Sequence, residues 1–251
     1  MSSTAQGPGS VMPHGAAESG PAERCFGVFT EPVKTFASIA RKPDFWTPLI
    51  VMIIVSVATT EILLNHVGMA QIIRRSLEVS GRASTMTPEQ MQQAVTQGAK
   101  FGGVITQVIG FVSVPIIVLI LAAVGMFIMK LMFDKPVGIK TAYSATAYAN
   151  LPMVLAGILA IIVIILGDPG SINPRNMTPT NIGFFLSPDS VSRPLMSIAT
   201  SIDFFSFWLM GLLGIAFAST TGGKTKPRTV FFCFLGLWVI YVLIKTGLSA
   251  I

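Results

Sequence analysis

Apolar residues run in five long blocks along the chain, and polar or basic stretches separate them. The blocks are on the order of 20 residues long, which is the length of an α-helix that crosses a bilayer core of about 30 Å. Core strands are much shorter than this. The pattern predicts an all-α, polytopic membrane helix bundle with five transmembrane helices. The predicted spans are residues 45–64, 103–129, 149–167, 204–223 and 229–248.

The segment before the first span divides into two parts. Residues 1–24 are rich in Gly, Ser, Pro and Ala, which predicts a disordered N-terminal tail, and residues 25–251 then form the membrane domain. Residues 29–42 place apolar side chains at helical spacing, with Thr30 as a cap and Pro32 in the first turn. We predict an N-terminal interfacial amphipathic helix whose basic side chains face anionic headgroups. A helix packed against the bundle is an equal alternative.

Two further stretches predict how helices begin and pack. Thr87-Pro88-Glu89-Gln90 has the spacing of a capping box with Pro at the first helical position, and we expect its helix to continue into the second span. Small residues follow at four-residue intervals, which indicates a close-packing face. These are Gly102, Thr106 and Gly110.

The composition agrees with a membrane protein. Of 251 residues, 52% are hydrophobic and 11% are charged, whereas soluble domains carry about 25% charged residues. The net charge of +6 comes from Lys and Arg residues that flank the apolar blocks, so we expect no nucleic-acid partner. Ten of these 17 residues precede span 1 or lie in the loops after spans 2 and 4, and seven lie on the other side. This bias predicts a cytoplasmic N-terminus and an extracytoplasmic C-terminus.

The residues needed for catalysis or metal binding do not form any recognisable pattern. Cys25 and Cys233 are far apart, and the chain has two histidines. We find no nucleophile–base arrangement, HExxH motif or CxxC motif. We therefore expect no enzymatic activity, no cofactor and no metal.

The acids next to apolar blocks are the main candidates for function, since ionisable groups within spans are functional hypotheses by default. Glu61 lies near the end of span 1 and Asp203 directly precedes span 4. Both fall near the outer face in the predicted topology, where two carboxylates could share a proton or a cation. The structural alternatives are that Asp203 caps its helix and that Glu61 reaches headgroups or water.

Three stretches resemble the Ypt-interacting-protein (Yip) domain family, in its bacterial branch. They are EPVKTFASIARKP (31–43), GIKTAYSATAYANLP (138–152) and IDFFSFWLMGLLGIA (202–216). The second stretch supplies four more candidate functional residues, Tyr143, Tyr148, Asn150 and Pro152.

The resemblance implies a five-span helical bundle with a cytoplasmic N-terminus and without catalytic residues. Eukaryotic relatives bind prenylated Rab-type GTPases. We do not expect that partner here, because the chain has no long acidic recognition region and resembles the bacterial branch.

Two functional hypotheses follow. The first is a non-enzymatic protein of the bacterial inner membrane that organises the bilayer or scaffolds membrane partners, including copies of itself, through helix–helix contacts. Its partners would meet exposed small-residue faces, such as Ala145/Ala149 or Ala156/Ala160. The alternative is a small-solute or ion carrier in which Glu61 and Asp203 line one polar cavity near mid-depth.

Overall fold

The computed structural model describes residues 20–187 and 190–249, and these form ten α-helices and two short 3-10 helices. They contain no β-strand, only an isolated bridge between Asn181 and Asp203. The α-helices are α1 (Pro21–Thr30), α2 (Pro32–Arg41), α3 (Trp46–His66), α4 (Met69–Val79), α5 (Pro88–Phe133), α6 (Ile139–Ala149), α7 (Pro152–Leu166), α8 (Arg193–Ser201), α9 (Phe204–Ser219) and α10 (Pro227–Ser249). The 3-10 helices are η1 (Ala83–Thr85) and η2 (Ile182–Phe185).

Four segments of the described chain are long and apolar enough to cross a membrane, namely α3, α5, α6 with α7, and α10. The all-α, multi-pass prediction is therefore confirmed. The predicted fourth span is shorter than expected, because α9 has 16 residues, or about 24 Å of helix. The chain leaves the helix at Thr220 and turns through Gly222 and Gly223, both with positive φ. Length and composition alone thus support four spans rather than five.

The predicted start of α5 is confirmed. The Gln90 amide donates to Thr87 Oγ1 over 3.3 Å, and the Thr87 amide donates to Gln90 Oε1 over 2.9 Å. From this cap the helix runs without interruption for 46 residues. Its small-residue face also packs closely, since the Ser56 hydroxyl of α3 donates to the Gly110 carbonyl over 2.7 Å.

The third membrane segment begins earlier than residue 149. The candidate span is Ile139–Leu166, in which α6 and α7 meet at Asn150 and Leu151. The small, partly polar composition of α6 suggested a segment outside the span, but residues 144–150 are all buried within the bundle. The third span therefore begins about ten residues before the predicted position, with the small side chains turned to neighbouring helices.

The N-terminal region forms two short helices rather than one. α1 begins at Pro21, so residues 21–24 are helical and the predicted boundary of the tail is too late; residues 1–19 lie outside the described residues. Thr30 ends α1, and Glu31 stands at the N-cap position of α2 without a side-chain hydrogen bond to the helix, so the predicted cap is wrong.

α2 packs into the bundle, against α9 and α6. Phe36 and Ile39 are almost fully buried, whereas Val33, one of the apolar residues in the predicted amphipathic helix, is 62% exposed. α1 and α2 approach closely at Gly27, whose backbone lies against the Thr35 side chain. This arrangement corresponds to the packed alternative for the segment.

The main hydrophobic core lies between α2, α5, α6, α9 and α10. α9 and α10 pack as an antiparallel pair, in which Phe207 lies near Trp238 and Phe217 lies near Phe234. Gly214 permits the close approach, because a Cβ there would lie 2.9 Å from the Pro227 carbonyl oxygen. The core positions two polar regions, one where α3 begins and one beyond its end.

Candidate functional site

A buried ion pair marks the entry to α3. Arg24 of α1 places its Nη1 2.5 Å from Oδ2 of Asp44, which lies in the connection between α2 and α3. The Tyr148 hydroxyl of α6 donates to the other carboxylate oxygen over 2.9 Å. Arg24 also donates to the Lys42 carbonyl oxygen over 2.9 Å. We call Arg24, Asp44 and Tyr148 the entry cluster.

Two of the three residues of the entry cluster are shielded from solvent. Arg24 is 4% exposed and Tyr148 is fully buried, while Asp44 is 28% exposed at its side chain. The neighbouring Cys25 thiol has a raised pKa, first because it is half-buried and second because Asp44 is negative. Each charge is neutralised by its partner, so the cluster is suited to fastening α1 and α3 to α6.

Three of the four predicted residues in the GIKTAYSATAYANLP stretch have structural roles within the bundle. The Tyr143 hydroxyl donates to the Pro115 carbonyl oxygen over 3.4 Å, and its ring meets Phe45 edge-on at 5.0 Å. Asn150 ends α6, and its side-chain amide donates to the Thr146 carbonyl oxygen over 2.8 Å. Pro152 is the first residue of α7.

Small-residue faces in the same region are occupied inside the bundle. Ala145 and Ala149 are buried, and so is Ala160. The expectation that these faces are exposed to partners is therefore wrong for these three residues. Their lack of bulk lets neighbouring helices of the same chain approach.

Glu61 bonds to the neighbouring long helix. Its Oε1 accepts a hydrogen bond from Gln107 Nε2 of α5 over 2.7 Å. The residue is partly exposed and lies five positions before the end of α3. It links α3 to α5 near the helix end.

Asp203 caps α9. Its Oδ2 accepts from the Ser206 amide over 2.8 Å, and its Oδ1 accepts from Thr180 Oγ1 over 2.5 Å. The Phe204 amide also donates to the Thr180 carbonyl oxygen over 3.0 Å. Asp203 therefore fixes the start of α9 and holds the loop around Thr180 against it.

The structure does not bring the two acids together through any shared group. In the described chain no hydrogen bond joins Glu61 to Asp203, and their partners come from different elements. Neither residue lines the cavity of about 830 Å³ that lies beyond the end of α3.

A cavity of about 830 Å³ lies beyond the end of α3, between α4, the ends of α7 and α10, α8 and the loop that precedes α8. We call it the basic cavity, because five of its lining residues are basic and no described lining residue is acidic. The basic residues are Arg75, Arg82, Arg175, Arg193 and Lys245.

One of the five cations has an acidic partner in the described chain, since Arg75 contacts Glu78 at 3.2 Å. Lys245 instead donates to oxygens of α8, the closest being Ser201 Oγ at 2.9 Å. Arg175 and Arg193 are exposed and have no ion pair with any described residue.

Sequence reasoning named Tyr148 but missed the rest of the entry cluster and the whole basic cavity. Arg24 falls in the part of the chain that was assigned to the tail, and Asp44 was not considered. The five cavity cations are scattered over 171 positions, from residue 75 to residue 245. The sequence did contain one indication of this cavity, because all five cations belong to the segments predicted to lie on the outer side of the membrane. Among the described residues no group of three or more His, Cys, Asp and Glu side chains could hold a metal.

This arrangement defines a class: a multi-pass helical membrane protein whose polar groups gather at the two ends of the bundle. The model of the Yip1 domain matches residues 26–246 of the chain. The protein is therefore a member of the Yip1 domain family, and the resemblance seen in the sequence is confirmed.

A curated relative has the same character. The chain is 24% identical to "Membrane protein YknW" of Bacillus subtilis (strain 168) over 231 residues, which cover 90% of this chain and 91% of that protein. That name states a location and assigns no activity. No solved structure matches the chain.

Proposed function

We propose that the protein is a non-enzymatic integral membrane protein that organises membrane or scaffolds membrane partners through helix–helix contacts. The observation that supports this most directly is an exposed face of α10 with small residues on it. A span that packs only within its own bundle would not need such a face, whereas close contact with a second helix favours small residues.

The face runs along most of α10. Its members recur at three- and four-residue spacing, so they lie on one side of the helix. They are Phe232, Gly236, Val239, Leu243 and Gly247, all exposed. A Cβ added at Gly236 or Gly247 would meet no atom within 4 Å, which leaves room for another backbone. We call this the α10 face.

The carrier alternative has less support. Glu61 bonds to Gln107, and Asp203 bonds to Ser206 and Thr180. A carrier that couples a proton or cation to transport needs such acids along a shared water-accessible path. The observed partners instead fit acids that secure helix ends, as the scaffold hypothesis requires.

We propose five crossings, with α9 as the fifth. α9 runs antiparallel to α10, and Lys245 near the end of α10 reaches Ser201 just before α9 begins. The two helices therefore cover the same depth. Together with the charge bias, five crossings support an N-terminus in the cytoplasm and a C-terminus outside a bacterial inner membrane. The exposed basic residues of α2 would then contact anionic lipid at the cytoplasmic surface.

The proposed partners are the lipid bilayer and other membrane proteins, including a second copy of the chain. We propose no nucleic acid and no Rab-type GTPase among them. The α10 face offers apolar and small side chains but no charge, which suits another membrane helix.

Photo-crosslinking from α10 in native membranes tests the proposal. A photoreactive residue at Val239, which is 42% exposed, should give a discrete crosslinked species containing a membrane protein. The matched control is the same residue at Val242, which lies on the same helix and is 8% exposed. Gly236→Ile should weaken the Val239 crosslink, because the added side chain keeps a partner helix at a distance.

The proposal fails if Val239 and Val242 give the same products, or if Val239 reacts with lipid alone. Proton-coupled solute flux in liposomes that is lost on combining Glu61→Gln with Asp203→Asn would establish the carrier instead.

A further inference from the structure

We propose that the basic cavity binds a phosphate-type anion, either the headgroup of an anionic phospholipid or a phosphate free in solution. The cavity has the volume for such a group, at about 830 Å³. This site is separate from the α10 face and does not depend on the scaffold proposal.

The charge of the cavity is the first observation. Its lining places Arg75, Arg82, Arg175, Arg193 and Lys245 around one space, whereas the described lining residues include no Asp or Glu. Cations brought together repel one another unless a counter-charge lies between them. At the entry cluster the protein supplies such a counter-charge itself, whereas here the described residues supply one, Glu78, for five cations.

The hydrogen-bond donors are the second observation. Arg75 Nε is shielded from solvent and has no hydrogen-bond partner, although its Nη1 contacts Glu78. Because solvent does not reach that nitrogen, the donors open to an acceptor in the cavity are the exposed guanidinium groups of Arg175 and Arg193, which have no ion pair with a described residue. Guanidinium groups match the oxygens of phosphate in pairs.

The third observation is the backbone that supports the guanidinium groups. Gly81 has a φ of 71°, and the Arg193 guanidinium lies directly against its Cα. A side chain at position 81 would occupy the place of that guanidinium. The turn after α4 and the start of α8 are thus fitted to each other, and they bring Arg82 and Arg193 to the same rim.

The position of the cavity explains why a lipid headgroup is one possible source of the bound phosphate. Its lining includes Val163 near the end of α7 and Leu248 near the end of α10, both from candidate spans. Apolar residues therefore adjoin a basic rim where the spans end. A phospholipid places its phosphate at this depth, and a soluble anion can reach the same rim from water.

Binding to the full chain in nanodiscs tests the site and separates the two sources. One arm titrates inorganic phosphate into the protein in nanodiscs of phosphatidylcholine alone, and calorimetry reports saturation. The other arm uses native mass spectrometry to count phosphatidylglycerol retained from mixed nanodiscs. We expect saturable binding in at least one arm, and binding in the lipid arm alone would assign the site to a headgroup.

The variant for both arms is Arg175→Gln with Arg193→Gln, which removes two exposed cavity cations. We expect binding at least about tenfold weaker than in the native chain. The matched control, Lys135→Gln with Lys224→Gln, removes the same charge from exposed residues in the turns after α5 and α9, which do not line the cavity. It should bind within about twofold of the native chain, since distant surface charges are screened at about 8 Å in physiological salt.

A second pair of variants keeps the test valid if the glutamine substitutions disturb folding. Arg175→Lys with Arg193→Lys retains the charge but loses the paired geometry, so we expect intermediate affinity. The proposal is overturned if neither arm shows saturable binding, or if the cavity and control variants weaken binding equally.

Discussion

Where α3 begins, Arg24, Asp44 and Tyr148 pair with one another in a nearly closed cluster, in which the charges balance although Arg24 Nε has no hydrogen-bond partner. Beyond the other end of α3, the basic cavity collects five cations, four of which have no ion pair with a described residue. Both regions tie distant elements together, but only the first balances its own charge. A polar cluster that balances its own charge is suited to holding helices together, whereas a cluster with surplus positive charge is better suited to binding an anion.

Removing Asp44 should have the largest effect on stability. Asp44→Ala leaves the Arg24 guanidinium buried without its partner and the Tyr148 hydroxyl without its acceptor. We expect a loss of about 3 kcal/mol in the free energy of unfolding, measured by denaturant titration in mixed micelles. The control is Glu31→Ala, whose ion pair with Lys34 is exposed, and it should leave stability unchanged. Equal effects of the two substitutions would show that the entry cluster is no fastening.

Tyr148→Phe tests one bond of the same cluster. It keeps the ring in the core and removes the hydroxyl that donates to Asp44 over 2.9 Å. We expect a loss of about 1 to 1.5 kcal/mol in the free energy of unfolding. Tyr241→Phe is the control, because Tyr241 is exposed and forms no hydrogen bond with a described residue. A loss no greater than that of the control would mean that Asp44 depends on Arg24 alone.

The acids near the cavity end can be tested by additivity. Asp203→Ala removes a helix cap and should cost about 1 kcal/mol, whereas Glu61→Gln keeps a polar partner for Gln107 and should cost less. If the two residues are independent, the double substitution should equal the summed single effects within about 0.5 kcal/mol. A larger coupling, in the same unfolding measurement, would support the shared carboxylate site that the sequence suggested.

Much of the fold could be predicted because hydropathy reports directly on membrane helices. The bounds of α3 and α10 lie within about two residues of the predicted spans, and the capping box at Thr87 fixed the start of α5. The α6 segment was misjudged, because Ala, Ser and Thr lower hydropathy while packing well between helices. The short α9 was overestimated, because the two turn glycines after it carry no hydropathy signal.

The polar regions were harder to predict, because each assembles side chains from distant parts of the chain. Asp203 was correctly interpreted as a possible cap, since a cap is local in sequence. Arg24 and Asp44 are 20 positions apart and meet Tyr148 more than 100 positions later. No local pattern encodes that contact. Helical spacing on α2 was also insufficient, because it could not tell which apolar side chains α9 would cover.

The smallest expected change in the free energy of unfolding comes from a cavity cation, and it distinguishes the basic cavity from the entry cluster most clearly. Arg175→Gln removes an exposed cation that has no ion pair in the described chain, so it relieves repulsion within the basic cavity. At low salt and without phosphate or anionic lipid, we expect the free energy of unfolding to rise by about 0.2 to 0.5 kcal/mol. The gain should vanish near 1 M salt, where screening acts within about 3 Å.

The control for this substitution is Arg41→Gln, also an exposed arginine but in the last turn of α2, outside the cavity lining. It should not stabilise the protein at either salt concentration. If Arg175→Gln instead destabilises the protein as much as Tyr148→Phe does, then the cavity cations hold the fold together. The two ends of the bundle would then be fastenings of the same kind, because a cation whose loss costs that much stability must have its counter-charge within the protein.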